Sequence, residues 1–123
     1  MPHRYKPGQD TLFTSDAPVG SYSAVFEDDA AVAYFYAVVR KSPENQILDA
    51  IHIYNAYAMV DRDRESELEL EWTDGGQKVT LLINHQAQAI FDFAGRMSRH
   101  QANFPRNDGE GWITHEWDGE GTG

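Results

Sequence analysis

The chain has 123 residues, enough for one domain with a core of ordinary size. Apolar residues make up 41% and charged residues 24%, which fits a soluble globular protein and excludes wholesale disorder. Ten basic against twenty acidic side chains leave a net charge of −10, which sets aside general binding to nucleic acid or anionic membranes, because a polyanion is repelled.

Met1 to about Gly20 carries Pro2, Pro7, Pro18 and Gly8, with only Thr11–Phe13 as a short strand, and is expected to be an irregular arm lying on a single domain of residues 1–123. "SYSAVFEDDAAVAYFYAVVR" then holds two runs rich in aromatic and β-branched residues, split by acids. It predicts a hairpin with arms Tyr22–Glu27 and Val32–Arg40 and a turn near Asp28–Asp29, where aspartate side chains bond their own backbone. The second arm is apolar on both faces, as a central strand is. Its run Ala30–Val39 is half the length that a membrane-spanning helix needs, and no basic-then-apolar signal opens the chain.

After "KSPENQ", a polar break, "ILDAIHIYNAYAMV" predicts strand through about Tyr54 and then loop, with a helix over Ala50–Val60 as the alternative. "DRDRE" is a solvated charge run. "ELELEW", "TDGG" and "KVTLLIN" form the clearest hairpin, with Leu68, Leu70 and Trp72 inward and Glu67, Glu69 and Glu71 outward. A turn near Asn84–His85 leads into "AQAIFDF", where Ala89, Phe91 and Phe93 share a face. "WITHEW" adds an edge strand, and 118–123 is an acidic, glycine-rich tail expected to fray. The fold class is all-β, with at most one short helix: about six or seven antiparallel strands in a meander forming a curled sheet, an open barrel or a small sandwich.

Without cysteine there is no disulfide, thiolate nucleophile or thiolate metal site, and the cytoplasm is the default location. His3, His52, His85, His100 and His115 lack metal-ligand spacing, and His115 and Glu116 point to opposite strand faces. "DRDRES" interleaves its acids with arginines and has no glycine at the sixth position of a calcium loop. Phosphate-loop and nucleophile-elbow patterns are absent too. No cofactor or metal is expected, and no motif supports an enzyme. Tyr34, Tyr36, Tyr54 and Tyr57 could line a ligand cleft, but core filling is the simpler role for aromatics on strands.

One segment departs from the acidic background. Between Asn84 and Arg106, three arginines and Asp92 give +2, leaving −12 for the remainder. As a helix, Ala94–Asn103 would align Arg96, Arg99, His100 and Asn103 on one face. As a strand continuing from Phe93, it would align Asp92, Arg96 and His100, with Met97 beside Phe91 and Phe93. The four residues form a candidate anion site, because arginine offers a bidentate fork to carboxylate or phosphate. The plainer expectation is internal pairing with Glu67, Glu69 and Glu71 or with Asp61–Glu65.

The stretch "LLINHQAQAIFDFAGRMSRHQANFP" resembles a family of uncharacterised bacterial domains, the domain of unknown function numbered 2251. Phe91, Asp92, Phe93, Arg99, Asn103, Phe104 and Pro105 carry the resemblance. It implies a bacterial source and transfers no activity. Size and charge together favour a non-catalytic protein-binding domain, in one version an immunity or antitoxin-like protein steered onto a basic partner. A homodimer is compatible with that role. The alternative is a small-molecule-binding or enzymatic barrel that holds an anion on Arg96, Arg99 and His100.

Overall fold

The computed structural model describes residues 3–55, 65–101 and 112–117. Ten strands follow in chain order: β1 His3–Tyr5, β2 Thr11–Asp16, β3 Tyr22–Asp28, β4 Val32–Val39, β5 Gln46–Asn55, β6 Ser66–Thr73, β7 Lys78–Ile83, β8 Gln86–Asp92, β9 Met97–Gln101 and β10 Trp112–Glu116. They build two antiparallel sheets. One is four-stranded, in the order β2-β3-β4-β5, and the other six-stranded, in the order β1-β6-β7-β8-β9-β10. The all-β class therefore holds, as two packed sheets and not a closed barrel, with more strands than the meander expected. Among the described residues no helix is long and apolar enough to cross a membrane.

Most hairpins stand where alternation and turn chemistry put them. Trp72 opposes Val79 and Leu68 opposes Ile83 across the Asp74–Gly76 turn. Asn84 and His85 both take positive φ, 53° and 67°, as a two-residue hairpin turn requires. Gly76, at φ +90°, has the Val19 carbonyl 2.8 Å from where a Cβ would stand, so the turn closes against the β2–β3 connection only with glycine there.

The expected irregular arm is a correction: it holds β1 and β2, which belong to different sheets. Each has one anchoring aromatic. Tyr5 is buried in the core, and Phe13 packs against it while stacking on His3 at 4.8 Å. The helix alternatives also give way, since 50–55 lie in β5 and 97–101 in β9. Residues 94–96 form a turn, while 56–60 and 102–103 of the two alternatives, with Tyr57 and Asn103 among them, and the tail 118–123 lie outside the described residues.

The inner face of the four-stranded sheet carries three rows. Phe13, Phe26, Phe35 and Ile51 lie opposite one another in the middle row. Thr11, Asp28, Ala33 and Tyr54 flank it on one side, and Ser15, Ala24, Ala37 and Asp49 on the other. Phe35 stacks on Phe91 of the facing sheet at 4.5 Å, and Tyr22 stacks on Phe93 at 4.1 Å. Trp72 sits at the rim of this core and donates from Nε1 to Ser15 Oγ at 3.0 Å. Two carboxylates thus enter the space between the sheets, where each needs hydrogen-bond donors.

Candidate functional site

Of the Arg96, Arg99, His100 and Asn103 group, the three described members, Arg96, Arg99 and His100, do not share one face. A turn over residues 93–96 separates β8 from β9, with Asp92 Oδ1 accepting the Gly95 N–H at 2.8 Å and Arg96 at φ 55°. The turn resets the alternation. Met97 lies opposite Asp92 and shares its outward face, and Ser98 takes the inward place opposite Phe91. This corrects the strand expectation that put Met97 beside Phe91 and aligned Arg96 with His100. On β9, Arg99 then points outward and His100 inward.

Arg96 places its guanidinium 5.7 Å from the Trp117 ring centroid, and its carbonyl accepts the Trp117 N–H at 2.8 Å. Arg99 is exposed, with its guanidinium 5.1 Å from the Trp112 ring centroid. No described carboxylate lies within ion-pair distance of Arg99, so the expected pairing with the glutamate row does not occur there. His85 takes that place, with Nε2 2.7 Å from Glu67 and Nδ1 3.4 Å from Glu69. Arg99 instead lines a groove of about 200 Å³ with Thr73, Lys78, Thr80, Ile90, Asp92 and Met97. Lys78 is itself 3.4 Å from Asp74.

His100 belongs to a second cluster, on the inner side where β5 meets β9 and β10. Asp49 Oδ2 accepts from Ser98 Oγ and from His115 Nε2, the latter at 2.8 Å, while Trp117 Nε1 donates to Ser98 Oγ at 2.5 Å. The donor inventory fixes every direction. Indole can only donate, so Ser98 accepts from Trp117 and gives its one proton to Asp49, and His115 must carry its proton on Nε2. Serine, histidine and aspartate are the residue types of a hydrolytic triad, but here the carboxylate stands between the other two. The imidazole does not touch the hydroxyl as a base for it, and Ser98 is fully buried, so the cluster is a latch between sheets and not a nucleophile. His100 lies 6.5 Å from His115, centroid to centroid, with its Nδ1 buried and unpartnered. Burial, with the nearby His115 and His52, holds its pKa below the usual imidazole value, against the pull of Asp49. Among the described residues no group of three or more histidine, aspartate or glutamate side chains could hold a metal ion.

Asp49, Ser98 and Trp117 were not singled out by the sequence reading. The available signal was Asp49 itself, the one acid in the apolar run "ILDAIHIY", falling on the same side as Ile51.

The match to the family described as an uncharacterized protein conserved in bacteria (DUF2251) spans residues 5–122. The chain belongs to that family. A protein of Haemophilus influenzae, described only as uncharacterized, is 32% identical over 108 residues, covering 81% of this chain and 67% of its own length. No solved structure matches the chain. The resemblance carried by Phe91–Phe93 and Asn103–Pro105 thus extends over nearly the whole domain of this bacterial family.

Proposed function

We propose that this domain works by non-catalytic binding and takes an anionic group of its ligand on Arg99. The observation that carries this reading is an exposed arginine with no described carboxylate at ion-pair distance, in a chain with twenty acids. Trp112 supports one side of the guanidinium plane, and the planar fork keeps its N–H edge free for a carboxylate or phosphate. Lys78, shared with Asp74, adds a second positive charge against the one carboxylate of Asp92 in the groove, and Thr73 and Thr80 add hydroxyls. At about 200 Å³ the groove is smaller than the roughly 300–1,000 Å³ typical of ligand pockets, so it suits one anionic group of a larger partner.

Thermal denaturation with added citrate or phosphate tests this. The melting temperature should rise with the anion in the wild type, and Arg99→Ala should keep the wild-type stability but lose the response. An unresponsive wild type, or a response that survives Arg99→Ala, sinks the proposal.

A basic protein partner, of the immunity type, is supported by a separate observation. Asp10, Glu27 and Asp29 line a depression beside Leu12, which is 69% exposed. Association there would weaken with added salt but survive Arg99→Ala, which binding of an anionic group at Arg99 would not survive.

A further inference from the structure

Arg99 does not stand alone on the outward side of the six-stranded sheet. Register sets it directly opposite Ile90 and Ile90 opposite Thr80, and the neighbouring row runs Met97–Asp92–Lys78. The groove lies along these two rows. Arg99 and Asp92 are diagonal neighbours on adjacent strands, a relation that sets Cβ atoms about 7 Å apart. Among the described residues neither forms an ion pair: Lys78, directly opposite Asp92, turns to Asp74 at 3.4 Å instead. Asp92 spends Oδ1 on the Gly95 N–H at 2.8 Å and keeps Oδ2 free of described partners. Gly95 makes room for that oxygen, since a Cβ there would stand 2.7 Å from it. The groove thus holds an open donor fork and an open acceptor side by side, with Ile90 and Met97 half-buried beside them.

We infer that this groove takes the C-terminal residue of a partner polypeptide, its carboxylate on Arg99, its N–H on Asp92 and an apolar side chain on Ile90 and Met97. The inference rests on Arg99 as the anion site and adds which anion it takes. An ionised carboxylate can only accept, so whatever meets Asp92 Oδ2 must donate. The last residue of a polypeptide carries a carboxylate and an N–H on the same carbon, and so answers both groups at once. A phosphate fits poorly. It brings about −1.5 to −2 charges at neutral pH to a described lining with one unpaired cation and a carboxylate of its own. A free amino acid carries the right pair of groups, but a groove of about 200 Å³ encloses too little of it to bind without a chain leading out.

Fluorescence anisotropy of a Gly-Gly-Leu peptide labelled at its N-terminus, titrated with the full chain, tests this. The peptide should bind, and amidating its C-terminus or introducing Arg99→Ala should each weaken it about tenfold, as the loss of a charge-assisted hydrogen bond does. Asp92→Asn is the sharper variant, because its effect differs in sign between ligands. Asparagine still accepts the Gly95 N–H, so the turn stays. The variant should bind the peptide several-fold more weakly, having lost the charge on the acceptor. Its melting temperature should respond more strongly to citrate, having lost a repulsion. A peptide that binds equally well when amidated overturns the inference, as does one that Asp92→Asn strengthens along with citrate. So does tighter binding of a Gly-phosphoserine-Gly amide, or free leucine that competes as well as unlabelled Gly-Gly-Leu. If citrate acts through Arg99 while the peptide does not bind, this inference falls and the anion site stands. If neither binds, both fall.

Discussion

Two acids enter the core from the same sheet, one row to either side of the Phe13–Phe26–Phe35–Ile51 row, and the molecule treats them differently. Asp28 is 1% exposed and surrounded by groups that keep their protons. Its Oδ2 accepts from Tyr54 at 2.6 Å and from the Gly8 N–H at 2.8 Å, and its Oδ1 from the Ala30 N–H at 2.9 Å. Because Tyr54 spends its proton on Asp28, Tyr5 must be the donor in the 3.1 Å contact between the two hydroxyls. Burial pushes both tyrosine pKa values far above their usual range, so this relay keeps its donors at any ordinary pH. Asp49 is bridged to a histidine that is 39% exposed, in a cluster where a second histidine, His100, has its pKa lowered. Asp49 joins the two sheets directly, and Asp28 does so only through the Tyr54 and Tyr5 hydroxyls. The Asp28 end is sealed, while the Asp49 end holds a histidine with a lowered pKa.

The largest expected effect is Asp28→Ala. It strands the buried Tyr54 hydroxyl and the half-buried Gly8 N–H, and takes the partner of the exposed Ala30 N–H as well. The cost should be about 3–5 kcal/mol in chemical denaturation, near the whole stability of a small domain. Asp49→Ala should cost less, about 1–3 kcal/mol, because His115 can turn to water and only the Ser98–Trp117 pair stays dry. Equal losses at the two positions would erase the distinction between a sealed and an open end. The smallest effect separates them by pH. The folded-state pKa of His100 lies below its unfolded value, so the unfolded chain takes up the proton first. Stability from this residue is complete above about pH 6.5 and falls as pH drops from there towards the folded pKa. His52, His115 and Asp49 are the titratable groups facing it, and His100→Gln should flatten the melting-temperature profile in that window. An unchanged profile in the variant would assign the acid sensitivity elsewhere.

What could be read in advance followed from how many residues shared each signal. The β6–β7 hairpin was legible because six alternating residues and an Asp-Gly turn agreed. β1 escaped because it spans three residues, of which only Tyr5 is buried, between Pro2 and Pro7. The arginine cluster was located as a locally basic segment but its geometry was misjudged. A non-glycine residue at positive φ, Arg96, reverses the chain there, and neither alternation nor helical spacing announces it. Buried acids such as Asp28 resemble ordinary turn formers in sequence, because Asp29 beside it does make the turn, accepting from Ala31 and Val32 at 2.9 Å.

The placement of β1 bears on how the chain assembles. Among the described residues every strand pairing but one joins strands that follow each other along the chain, so β2–β5 and β6–β10 can each zip from their own turns. The exception sets His3 opposite Leu68, so that the first strand of the chain closes onto the second meander after passing the whole of the first. Its loop entropy is repaid only when both sheets exist, which makes β1 docking the natural last step of folding. A mutation at Tyr5 should therefore act mainly on the unfolding rate and leave the folding rate nearly unchanged.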